Sequence, residues 1–101
     1  MIARVWSARA VSRNLEAYEA HLRKNVFPEL RAIHGFLRAE LFTRAIGDEF
    51  EIVVTTVWTG FEAIEAFARP DREAAVVAEE AAALLAGYDR RVRHYEITLA
   101  T

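Results

Sequence analysis

Tyr18, His21 and Asn25 follow one another at spacings of three and four residues. On a helix that spacing lines their polar ends along one edge. There they could orient a substrate or take a proton from it, or form a plain solvent-facing rim. A second pair lies in "RHYE", Arg93 to Glu96, which sets His94 and Glu96 on one face of a strand. A carboxylate two residues along can hold an imidazole's tautomer and raise its pKa, which suits a general base. The same geometry also describes an ordinary strand ion pair. His34, next to Gly35, reads as a helix-end cation facing the dipole. Trp6 and Trp58 offer flat walls for an aromatic ligand and an indole N–H that seeks a partner when buried. Packing against Phe61 or Leu15 is the plainer reading of Trp58.

Much chemistry is excluded. With no cysteine, the chain has no disulfide, thiolate metal site or cysteine nucleophile. It has no H-x-x-x-H, H-E-x-x-H, G-x-G-x-x-G or G-x-S-x-G, so no metal and no bound cofactor is expected. The formal net charge is −2, with acids and bases interleaved and no basic stripe, which argues against a nucleic-acid partner. No apolar run approaches the ~18–20 residues that span a bilayer. The opening "MIARVWSARA" lacks the plan of a signal peptide, so a cytoplasmic location is expected.

The elements that must position these residues can be read from periodicity. Ile2 to Ala10 alternates as a strand. Ser12 or Asn14 supplies a helix N-cap, Glu16 sits in the first turn, and Leu15, Tyr18, Leu22 and Val26 form one apolar face. Pro28 predicts a break near Asn25 to Phe27, then a short turn through "ELRAI" ending at Gly35. Phe36 to Ala45 and Glu49 to Thr59 read as strands joined at Gly47-Asp48. Phe61, Ile64 and Phe67 are at helical spacing, and "RPD" stops that helix. Asp71 is then expected to cap a long helix, "REAAVVAEEAAALLAG", to Gly87, because alanine is the best helix former. "DRRVRHYEITLAT" closes the chain as a strand.

The order β-α-β-β-α-β predicts one α+β domain over 1–101: the ferredoxin-like antiparallel sheet with both helices on one face. In that topology strands one and three are central neighbours, so Trp6 and Trp58 could face one space. The composition is 53% hydrophobic, above the ordinary ~45–50% for globular chains. Both faces of "IVVTTVW" are apolar, so the open sheet face needs cover. Two sheets packed face to face give a homodimer, a dimeric α/β barrel.

Four segments together resemble the antibiotic biosynthesis monooxygenase (ABM) superfamily of dimeric α/β-barrel proteins. They are "MIARVW", "YEAHLRKNVFPELRAIHGF", "VVTTVWTGFEAIEAFARPD" and "VRHYEI". The sharpest is the Trp-x-x-x-x-Ala-Ile-x-x-Phe spacing from Trp58 to Phe67. The resemblance implies a homodimer with a cavity between helices and sheet in each subunit. Some members oxidise polyphenolic aromatics with dioxygen and neither metal nor flavin, while other relatives degrade haem. Trp58 matches the family's pocket tryptophan, and Trp6 lies near the position where the haem-degrading members carry an asparagine. Those members carry a ligating histidine on the helix after the tryptophan, and "ARPDREAAVVAEEAAALLAG" has none, which disfavours haem degradation.

The resulting expectation is a cofactor-independent monooxygenase acting on a small aromatic or phenolic substrate. Tyr18, His21, Asn25 and His94 would deprotonate or orient it, and Trp6, Trp58, Leu22 and Phe67 would bind it. The competing expectation is a non-catalytic ligand-binding or stress-response dimer.

Overall fold

The period-two runs fold as strands because their β-branched and aromatic residues suit a pleated, half-buried surface. The computed structural model describes all 101 residues. Strands β1 (Ile2–Val11), β2 (Phe36–Ile46) and β3 (Glu49–Trp58) form the sheet, with β4 (Gly87–Tyr88) and β5 (Arg93–Glu96) completing it. Its order is β2-β3-β1-β4, with β5 also on β1, and every pairing is antiparallel. The fold is thus the mixed α+β, ferredoxin-like arrangement that the sequence predicts, with β1 and β3 central.

Register decides what faces the helices. Ile2 pairs with Trp58, Arg4 with Thr56, Trp6 with Val54 and Ala8 with Ile52. Side chains alternate along a strand, so these share one face. Two buried clusters cover it: Ala8, Ala10, Tyr18, Leu22, Ile52 and Ala81 form one, and Ile2, Leu30, Trp58, Ala63 and Ile64 the other.

The first helical stretch runs on where a break is expected. α1 (Leu15–His21) passes into a π-helical turn, Leu22–Val26, and then α2 (Phe27–Arg31). Pro28 has no N–H for the carbonyl four residues back. The chain answers by widening, with Phe27 N–H donating to Leu22 O. Neither expected N-cap caps: Ser12 Oγ donates to Asp48 O at 2.9 Å and Asn14 Nδ2 to Leu84 O at 3.2 Å.

Two glycines sit where side chains fit poorly. Gly47, at φ +61°, opens the two-residue turn between β2 and β3. Gly35 has φ +97°, and a Cβ there would lie 2.6 Å from Ala63 Cβ and 2.8 Å from Thr59 Oγ1. Left-handed strain and a clash with α3 (Phe61–Phe67) act together. Gly35→Ala is expected to cost about 2–3 kcal/mol, read as a lower urea midpoint.

The long alanine-rich helix does not form. After α3, residues 74–78 run extended, and only α4 (Glu79–Ala82) is helical. The reason is tertiary pairing. Residues 90–92 leave the β1 edge between β4 and β5 and pair with residues 73–75 instead. Ala74 bridges Arg91, Ala75 N–H donates to Arg90 O at 2.9 Å, and Val92 N–H donates to Glu73 O at 2.8 Å. Asp71 is no helix cap: its Oδ1 takes the Glu73 N–H at 3.0 Å, and its Oδ2 takes Arg91 Nη1 at 2.5 Å. Propensity worth tenths of a kcal/mol per residue loses to these bonds.

Candidate functional site

Between α1, the sheet and the extended strap of residues 74–78 lies a cavity of about 80 Å³. It has room for on the order of five to eight water-sized centres, about one substituted aromatic ring. Trp6, Val54 and Thr56 supply its floor from the sheet. Tyr18, His21 and Leu22 come from the first helical stretch, Phe67 from α3, and Val76, Val77, Ala78 and Ala81 from the strap and α4. Thirteen of its sixteen lining residues are hydrophobic, so water is a poor occupant. The segment expected to form a long helix does line it, for the most part as non-helical chain.

Five of the eight sequence-predicted site residues meet here: Trp6, Tyr18, His21, Leu22 and Phe67. Trp6 is fixed by its indole N–H, which donates to Asp89 O at 2.7 Å in the gap where the last strand leaves β1. Tyr18 is buried to 2% exposure, and that burial alone, with no hydrogen bond contributing, pushes its phenol well above the usual value. It is a neutral donor at physiological pH and not a base. Asn25 stands outside the cavity but touches His21, with Nδ2 3.1 Å from Nδ1. The carboxamide can turn either end to the ring. With its oxygen inward, His21 Nδ1–H is the donor and Nε2 keeps a free lone pair.

Two expected site residues stand elsewhere. Trp58 is not a wall of this cavity. It is completely buried, donates to Thr56 Oγ1 at 2.8 Å, and stacks on Phe67 at 5.9 Å between centroids. Phe67 faces the cavity in its place because Trp58 is the last residue of β3 and lies beneath α3. Trp6 and Trp58 therefore share a sheet face without sharing the space.

His94 also lies outside the cavity, in a more open cleft with Phe61, Arg72 and Tyr95. Its expected carboxylate partner is engaged elsewhere, for Glu96 Oε1 lies 3.5 Å from the N-terminal ammonium. His94 Nε2 instead sits 3.0 Å from Arg4 Nη1. A guanidinium can only donate, so Nε2 is the acceptor and the ring is neutral. Burial first, then the Arg4 and Arg72 charges, hold its pKa below the ordinary 6.5, with Glu73 opposing weakly. A depressed imidazole pKa gives stability that is complete above the unfolded value and is lost as pH falls through the folded one. Below about pH 6.5 the urea midpoint is expected to fall, and to fall less in His94→Gln, whose amide oxygen can still accept from Arg4.

The sequence reading missed Arg4. It is 5% exposed yet lines the cavity, and its guanidinium donates to Arg72 O and, at 2.8 Å, to Ala74 O. It thereby ties the strap to β1. Burial alone lowers its pKa to about 10. The available signal was a charged residue at an inward strand position, between Ile2 and Trp6.

The sequence profile for antibiotic biosynthesis monooxygenase matches residues 1–79. The chain belongs to the ABM family. Among solved structures, a provisional antibiotic biosynthesis monooxygenase from Bacillus cereus superposes with a TM-score of 0.63 at 14% identity, over 99% of this chain and 97% of that one. The haem-degrader MhuD from Mycobacterium tuberculosis, solved with two haems in its active site, gives 0.54 at 21% identity, over 100% and 99%. Both likenesses concern the ABM fold. No curated protein matches in sequence. The ABM cavity of this chain does not fit haem as it stands, since a porphyrin has several times the ring atoms that about 80 Å³ can hold. No helix is long and apolar enough to cross a membrane.

Proposed function

We propose that this ABM protein oxygenates a small phenol, using dioxygen and no bound cofactor. The observation that carries the reading is one mostly apolar, ring-sized cavity holding a neutral phenol donor, Tyr18, beside an imidazole, His21. In the tautomer with its proton on Nδ1, donated to Asn25, His21 takes the substrate's phenolic proton at Nε2. Tyr18 then donates to the oxygen where negative charge collects. The desolvated phenolate passes electrons to dioxygen, and the two join at a ring carbon as a hydroperoxide. Loss of water leaves a quinone. One oxygen atom enters as the new carbonyl, the other leaves as water, and the substrate supplies all four electrons.

The same proposal includes a homodimer. The sheet face away from the helices carries the partly exposed Val5 and Val53, with Phe42 and Tyr95 about half exposed. A second copy laid against it would remove that apolar surface from water. A monomeric mass by sedimentation at micromolar concentration would sink this part.

The activity test is oxygen uptake with a panel of single-ring phenols, followed by quinone absorbance. One dioxygen consumed per quinone is the expected result. A phenol that binds and is recovered unchanged, with no uptake, would make the protein a binding module and refute the oxygenase.

A further inference from the structure

We propose that the cavity takes its aromatic ligand as a carboxylate, and that Arg4 is the residue that reads the charge. The inference rests on the cavity being the ligand site and adds what the ligand must carry. Arg4 is buried with no acid beside it. None of the chain's ion pairs includes it, and no carboxylate offsets the lowering of its pKa by burial. A cation taken out of water without a counter-charge is costly, and the cavity it lines is mostly apolar and holds no acid. Its hydrogen bonds are also incomplete. A guanidinium has five N–H donors. Arg72 O, His94 Nε2 and Ala74 O take three of them, which leaves two free. Two N–H groups in a rigid planar fork match the two oxygens of a carboxylate.

The placement sets the ligand's outline. Arg4 lies beside Phe67, its Cζ 5.8 Å from the ring centroid, toward the Trp58 end of the cavity. Tyr18 packs with Ala8, Ala10 and Ile52 at the other end. Four residues of β1, roughly 13 Å of strand, separate Arg4 from Ala8. A ring carrying a carboxylate at one end and a hydroxyl at the other would lie over Trp6 and Val54, with a hydrogen bond at each terminus. The hydroxyl then falls to Tyr18, where the proposed chemistry needs it.

The test uses 4-hydroxybenzoate and its neutral isostere 4-hydroxybenzamide, titrated calorimetrically up to millimolar concentration at neutral pH. The carboxylate is expected to bind at least about tenfold more tightly. Arg4→Met should bring the two ligands to equal affinity, and Arg4→Lys should keep a reduced preference. If Arg4→Met fails to fold, having lost the bonds to the strap, wild type and Arg4→Lys carry the comparison. Equal binding by the wild type, tighter binding of the amide, or a preference that survives in Arg4→Met would overturn the charge reading and leave the cavity standing as the ligand site. If neither compound binds, the cavity reading falls, and this inference with it.

Discussion

Trp58→Ala is expected to destabilise the protein by about 3–5 kcal/mol, at least about a fifth of the 5–15 kcal/mol that holds an ordinary domain folded. The indole is completely buried, meets the edge of Phe36 at 5.3 Å between centroids, and stacks on Phe67. Its removal leaves a hole that the end of β3 and α3 cannot both close. It also strips the Thr56 hydroxyl of the indole N–H at 2.8 Å. Trp58→Phe keeps most of the buried surface and should cost about 1–2 kcal/mol, chiefly through that lost hydrogen bond. The functional consequence is indirect: Phe67 would lose its backing and the cavity its end wall. Urea midpoints of the two variants check the ranking. A Trp58→Ala midpoint close to wild type would mean the ring is no part of the core, and its place in the site would have to be reconsidered.

That prediction turns on a residue whose neighbourhood was legible in the sequence while its role was not. Alternation along Ile2 to Ala10 and along β3 encodes which residues face the helices, because a strand has only two faces. It carries no information on which inward residue a neighbouring element will cover. Trp58 lies under α3, while Trp6 lies open to the cavity. Residues 74–86 show the opposite limit. Their composition is helical, yet the backbone bonds of residues 73–75 go to residues 90–92, a partner some fifteen residues on that no local pattern reveals. The same rearrangement hid Arg4, whose two carbonyl acceptors are Ala74 at the start of this strap and Arg72 just before it. Read as helix, the segment would satisfy its own carbonyls and leave an inward arginine without purpose. His94 was misread for a related reason: Glu96 is near it along the chain, but Arg4 is opposite it across the sheet.

Tyr18→Phe is expected to separate stability from activity more sharply than any other change. Burial is the only influence on the Tyr18 phenol, and no protein hydrogen bond is lost with the hydroxyl. Truncation at a buried site normally destabilises because a partner is left unpaired. Here no partner exists, so the melting temperature should stay within a degree or two of wild type, or rise slightly. Turnover should fall about 100- to 1,000-fold, the usual cost of removing one donor aimed at developing negative charge. The loss should lie in kcat, since a donor to the phenolate matters more after proton transfer than before it. It should also be insensitive to pH up to about 10, because the raised pKa keeps the wild-type hydroxyl protonated throughout that range. Oxygen uptake and thermal unfolding on the same preparation decide the matter. A large drop in melting temperature with proportionate loss of activity would make Tyr18 a packing residue, and the proton-accepting role of His21 would then stand without the donor that the proposed chemistry requires.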